Sequence, residues 1–171
     1  MPSSLLPLLL VLAQGAPVAV NNSVACPGPA APPAGMSGWS RTIQIASVLR
    51  PRDTTKALIP TGSRALTGLF PVAQVNYAVP PAKLPQGGAN GGLLGFFATK
   101  AGRYRVALGG SAWVDVVRDG KSLPSVAHSH GPACSGIRKM VDFDLKPGRY
   151  LLQIAGSDAA ALDVMISPVP K

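Results

Sequence analysis

Turn-forming pairs divide the second half of this chain into short runs of alternating parity, and that punctuation constrains the fold more than any other feature. Ala101-Gly102 precedes a run with Tyr104, Val106 and Leu108 on one face. Gly109-Gly110 turns the chain into Ala112 to Arg118, and Asp119-Gly120 is the strongest short hairpin signal. Ile137, Lys139, Val141, Phe143 and Leu145 share one parity, while Asp142 and Asp144 share the other. Pro147-Gly148 suits a type II turn and leads to Tyr150, Leu152 and Ile154 inward, with Arg149 and Gln153 outward. Leu162, Val164 and Ile166 form the last run. Helices are poorly provided for. The chain has 19 Gly and 18 Pro, only 13% charged residues, and no Glu among its seven acids, so helical i, i+4 ion pairs are scarce.

The first half is less regular. Thr42-Ile43-Gln44-Ile45 alternates as a half-buried strand should, and Arg50 to Gly62 reads as a loop. Gln74 to Val79 alternates again, with Val75, Tyr77 and Val79 on one face, and Pro80-Pro81 ends it. Gln86 to Gly92 reads as a Gly-rich loop before a strand at Leu93 to Thr99. The expected fold is all-β: a single antiparallel, jelly-roll-like β-sandwich of about eight strands over residues 39–171. Residues 26–38 read as a Pro/Gly-rich linker without a packing pattern.

Residues 1–25 carry no charged side chain, and Leu5 to Leu12 form an apolar stretch too short to span a bilayer. Small residues at Ala13 and Gly15 fit a signal-peptidase site, so the expectation is a cleaved signal peptide and a periplasmic or secreted protein. A second option is cleavage before Cys26, with lipid attached to that cysteine. Asn21-Asn22-Ser23 matches a glycosylation sequon inside the same leader. In an oxidising compartment, the two cysteines, Cys26 and Cys134, read as one disulfide. Its loop of roughly 110 residues would contribute about 4 to 5 kcal/mol by chain entropy. The net charge of +9 suggests an anionic surface or a small anionic ligand as partner. Two Trp and three Tyr, with the basic residues scattered, argue against nucleic acid.

Chemistry-bearing groups concentrate in His128-Ser129-His130-Gly131-Pro132-Ala133-Cys134. Histidines at i and i+2 of an extended segment present their rings to one face, a half-site suited to Cu, Zn or Ni. Cys134, if reduced, or Asp142 or Asp144 would complete it. Arg138 and Lys139 lie close enough in sequence to attract a carboxylate or phosphate. The other reading makes both histidines edge residues beside a Gly-Pro turn. Disulfide and thiolate ligand are exclusive uses of Cys134. Asp115 beside Trp113 reads as an inward carboxylate or a structural acceptor. No Gly-x-Ser-x-Gly is present, and the absence of Glu makes a paired-carboxylate glycosidase a poor fit.

The phrases Gly95-Phe96-Phe97-Ala98-Thr99-Lys100-Ala101-Gly102-Arg103-Tyr104-Arg105-Val106-Ala107-Leu108 and Lys146-Pro147-Gly148-Arg149-Tyr150-Leu151-Leu152-Gln153-Ile154 resemble bacterial pre-peptidase C-terminal-type jelly-roll modules, over roughly residues 92–168. The block from Ala112 to Leu145 is similar to small exported alphaproteobacterial proteins, some of which carry the label homogentisate 1,2-dioxygenase. That label implies a cupin-like, iron-dependent ring-cleaving enzyme, whose iron takes two His and one carboxylate. Here His128 and His130 match the first half of such a motif, Cys134 stands where Glu belongs, and no histidine follows His130. Two function classes therefore stand open: an exported binding or structural module, and a mononuclear metal enzyme.

Overall fold

The computed structural model describes residues 26–84 and 89–170, so the signal peptide and the sequon fall outside the described residues. Two sheets pack face to face as an all-β sandwich. The first carries β1 (Thr42–Ala46), β2 (Arg64–Gly68), β11 (Ala161–Pro168), β5 (Gly102–Leu108), β9 (Lys139–Leu145) and β8 (Ala127–Ser129), in that order. The second carries β3 (Phe70–Pro71), β4 (Asn90–Ala98), β10 (Gly148–Ser157), β6 (Trp113–Arg118) and β7 (Lys121–Ser122). Among the described residues no helix is long and apolar enough to cross a membrane.

The alternating runs deliver their inward residues to one core. Tyr104, Val106 and Leu108 of β5, Val141, Phe143 and Leu145 of β9, and Tyr150, Leu152 and Ile154 of β10 are all buried there. Phe96 and Tyr150 stack at 5.5 Å between ring centroids. Burying each such side chain contributes about 1.5–3 kcal/mol, which is what fixes the register of every strand against a one-residue slip.

Among the described residues the expected eight or so strands are joined by β3, β7 and β8, which span only two or three residues each. Strand β2 arises where no strand is expected, since its buried residues, Ala65 and Thr67, are too small or too polar to mark a core face. It pairs with β1 in parallel, not antiparallel, because the chain between them crosses to the other sheet and back. Bridges Val48 to Leu93 and Leu58 to Gly95 mark that excursion.

The expected strand at Gln74 to Val79 is not formed. Strand β10 already has β4 and β6 on its two sides, so no ladder edge is open to this segment, and it crosses the outer face of the sheet instead. Buried Gln153 holds it: its Oε1 accepts from the N–H groups of Ala78 (2.6 Å) and Val79 (3.2 Å), and its Nε2 donates to Val79 O (3.1 Å). The Tyr77 hydroxyl donates to Ile154 O at 3.0 Å. The Gly-rich stretch before Leu93 also differs from expectation, since β4 begins at Asn90. Gly91 and Gly92 serve close approach: a Cβ at Gly91 would meet the Tyr77 hydroxyl, and one at Gly92 the Ser47 side chain.

The Pro/Gly-rich segment 26–38 is tied to the domain. Cys26 and Cys134 form a disulfide with a Cα–Cα distance of 5.5 Å. Met36 is wholly buried on the outer face of the six-stranded sheet with Trp39, Ala107, Ile137, Met140 and Met165. Trp39 Nε1 donates to Ser135 O at 3.0 Å. A single Met and a single Trp leave no periodicity in the sequence to mark this packing.

Candidate functional site

The site grows from the ends of the two sheets. Strand β7 pairs only with Val117 and Arg118, so the Trp113–Asp115 half of β6 has no ladder partner on that side among the described residues. Facing it, β8 closes the six-stranded sheet on β9. The chain crosses from one sheet to the other between β7 and β8, and a cavity of about 520 Å³ remains between the edges. Trp113, Leu123, Val141 and Phe143 give it apolar walls, while Asp115, His128 and Lys139 give it polar groups.

Lys139 is the hinge of this arrangement. Its parity on β9 matches Val141 and Phe143, which carries its side chain inward. Its Nζ donates to Ala112 O at 2.9 Å and lies 5.1 Å from the centre of the Trp113 ring. Burial pushes its pKa below the ordinary lysine value, neighbouring Lys83 pushes it further down, and Asp115 pulls it back up. Asp115, on the opposite parity to core residues Val114 and Val116, is 4% exposed. Its Oδ1 accepts from Trp113 Nε1 (3.0 Å) and Ser122 Oγ (3.3 Å), and its Oδ2 from the Ala82 N–H (3.4 Å). Of the two sequence readings of this residue, the structural acceptor holds: Asp115 is in register with Gln153 on the outer face of the sheet, buried there and not turned towards the core. Burial, and then the charge of Asp115, push the Tyr77 phenol up to about 12.

A second recess of about 450 Å³ shares His128 and Lys139 with the first, and adds Ser111, Ser129, His130 and Arg138. Both histidines and both basic residues singled out in the sequence therefore line one hollow. His130 Nδ1 lies 2.9 Å from Arg138 O. A carbonyl only accepts, so Nδ1 carries the proton and Nε2 is left for the recess. The Arg138 guanidinium makes no ion pair among the described residues.

The metal-ligand set of the sequence reading does not assemble. Cys134 Sγ is spent in the disulfide, so it offers no thiolate, and Cys26 has no sulfur left for a lipid thioether. His128 is in register with Val141 and shares its face, whereas Asp142 is in register with Ala127 and faces the opposite way. Asp142 is instead held by Arg105, with Nε to Oδ1 at 2.7 Å and Nη2 to Oδ2 at 2.8 Å. That contact raises the Arg105 pKa. Asp144 pairs with Arg103 at 3.3 Å on the surface. Among the described residues no group of three or more His, Cys, Asp or Glu is placed to hold a metal ion. The residues present therefore do not fit the iron that the dioxygenase resemblance implies. Period-two alternation explains the mismatch, since Asp142 adjoins Val141 and so takes the face opposite to the one that Val141 shares with His128.

Sequence reasoning missed the pairing of Trp113 with Lys139 across the two sheets, which depends on which edges meet. No family model matches this chain, and no curated protein matches it.

Proposed function

We propose that this protein is an exported, disulfide-stabilised β-sandwich module that binds a small anionic ligand in the recess of His128, His130, Arg138 and Lys139. The supporting observation is the composition of that hollow: two imidazoles, a guanidinium and an ammonium with two serines, and no carboxylate among its lining residues. The Arg138 guanidinium and the Lys139 ammonium, with no acid beside them, neutralise a carboxylate or phosphate, and the fixed Lys139 ammonium limits the ordering cost of binding. The excess of 16 basic over seven acidic side chains favours approach of such a ligand.

The test is calorimetric titration of the mature protein with inorganic phosphate and with acetate, beside an R138Q/K139M variant. Binding that weakens about tenfold or more in the variant, with the unfolding transition retained, supports the proposal. Equal affinity of variant and wild type refutes it, as does an absence of binding in low salt.

A further inference from the structure

A separate concentration of positive charge lies on the outer face of the five-stranded sheet. The 3-10 turn Pro51–Lys56 packs against β4 and, with the segment at Ala78, walls a recess of about 410 Å³ floored by Val117 and Leu151. Arg52, Arg118 and Arg149 line this recess, and an adjoining hollow of about 540 Å³ shares Arg52 and adds Arg50. Two of the guanidinium groups are held by neutral partners. Arg149 Nη2 donates to Thr54 Oγ1 at 2.9 Å. Arg118 Nη1 donates to the Tyr150 hydroxyl at 2.9 Å, and its guanidinium lies 5.1 Å from the centre of that ring.

The charge here is almost uncompensated. Arg50, Arg52 and Arg149 make no ion pair among the described residues. Asp119 is the one carboxylate lining the recess; it sits 3.5 Å from Arg118 with its side chain 90% exposed, a contact that solvent screens heavily. Converging guanidinium groups repel one another, and an oxyanion removes that repulsion while accepting from several N–H donors at once. Each held guanidinium also keeps further N–H groups free and has already lost much of its rotamer freedom.

We infer that the recess of Arg52, Arg118 and Arg149 is a second oxyanion site, built for a phosphate- or sulfate-type group. It does not depend on the histidine-lined recess, with which it shares no residue. The group can reach it free in solution or as part of an anionic surface. Phe97, in register with Arg149 on β4 and 49% exposed, places an apolar ring beside the site.

The experiment uses the full disulfide-bonded protein in low salt. Inorganic phosphate is titrated by calorimetry, and sedimentation is measured with phosphatidylcholine vesicles with and without phosphatidylglycerol. R52K/R149K keeps the net charge but removes both guanidinium forks, and it should weaken binding about tenfold. R52Q alone, at a side chain with no partner among the described residues, should weaken binding in the same direction. R138Q/K139M should leave this site within about twofold, so failure of the histidine-lined site is read separately. Binding of phosphate alone assigns the free anion. Sedimentation with phosphatidylglycerol that phosphate displaces assigns a headgroup. Wild-type affinity in R52K/R149K would show that only diffuse charge is sensed and would overturn the inference. So would the absence of binding to both probes.

Discussion

The Arg105–Asp142 pair makes the sharpest prediction, because its worth depends on burial and not on charge alone. The Asp142 side chain is 6% exposed and that of Arg105 20%, and two hydrogen bonds of 2.7 and 2.8 Å join them across β5 and β9. Asp142→Asn keeps the volume but removes the charge, leaving a guanidinium in a site too dry to solvate it. Breaking a buried pair from one side costs about 3–5 kcal/mol, and the residual exposure of Arg105 places the expected loss near 3 kcal/mol. For a chain of this size that lowers the unfolding midpoint by about 6–12 °C. Replacing both partners with apolar side chains, R105M/D142L, removes the stranded charge and should recover stability to within about 1 kcal/mol of wild type. The backbone bond from the Val126 N–H to Asp142 O survives in every variant, so β8 stays attached. Urea unfolding followed by tryptophan fluorescence measures the cycle, and an unchanged slope confirms that the same surface unfolds. The reasoning is refuted if D142N lies within about 0.5 kcal/mol of wild type, or if the double variant is no more stable than the single one.

Four further outcomes are expected. Because the Cys26–Cys134 bridge spans 108 residues, C26S/C134S should lose up to about 4.8 kcal/mol in urea unfolding, and an unchanged midpoint would show that the bridge constrains nothing. Met36→Ala leaves a void beneath the N-terminal segment and should cost about 2–5 kcal/mol by the same assay. Tyr77 keeps its proton in the folded protein up to about 12 against an ordinary 10.0, so its contribution is full below pH 10 and declines as pH rises towards 12. Tyr77→Phe should remove that part of the alkaline decline, and absorbance titration should show one phenol ionising late. Lys139 has the opposite sign: its lowered pKa means that phosphate affinity at the histidine-lined recess falls with rising pH before the ordinary lysine value of 10.5, a dependence that K139M should abolish.

The sequence alone determined the strands that bury large apolar side chains at alternate positions. Strands β5, β9, β10 and β11 were legible because Tyr104, Val141, Leu152, Val164 and their neighbours lose too much if the register slips. It also determined the turns, and two cysteines, on the expectation of an oxidising compartment, implied their own pairing. Tertiary structure alone decided the rest. Gln74 to Val79 has a strand pattern, yet it crosses a sheet face because both edges of β10 are occupied. Ala65 and Thr67 have almost no pattern, yet they pair, because β11 and β1 offer edges on either side. The candidate site follows the same division. Strand parity brought Lys139 inward, but only the meeting of two sheet edges set it on Trp113 and beside the histidines. Asp142, adjacent in the chain to inward Val141 and Phe143 and therefore on the opposite face, went to Arg105 and left the histidines without a carboxylate. Local sequence fixes which face a side chain takes. Which faces then confront one another is set by long-range pairing, and that pairing is carried by backbone hydrogen bonds common to all residue types.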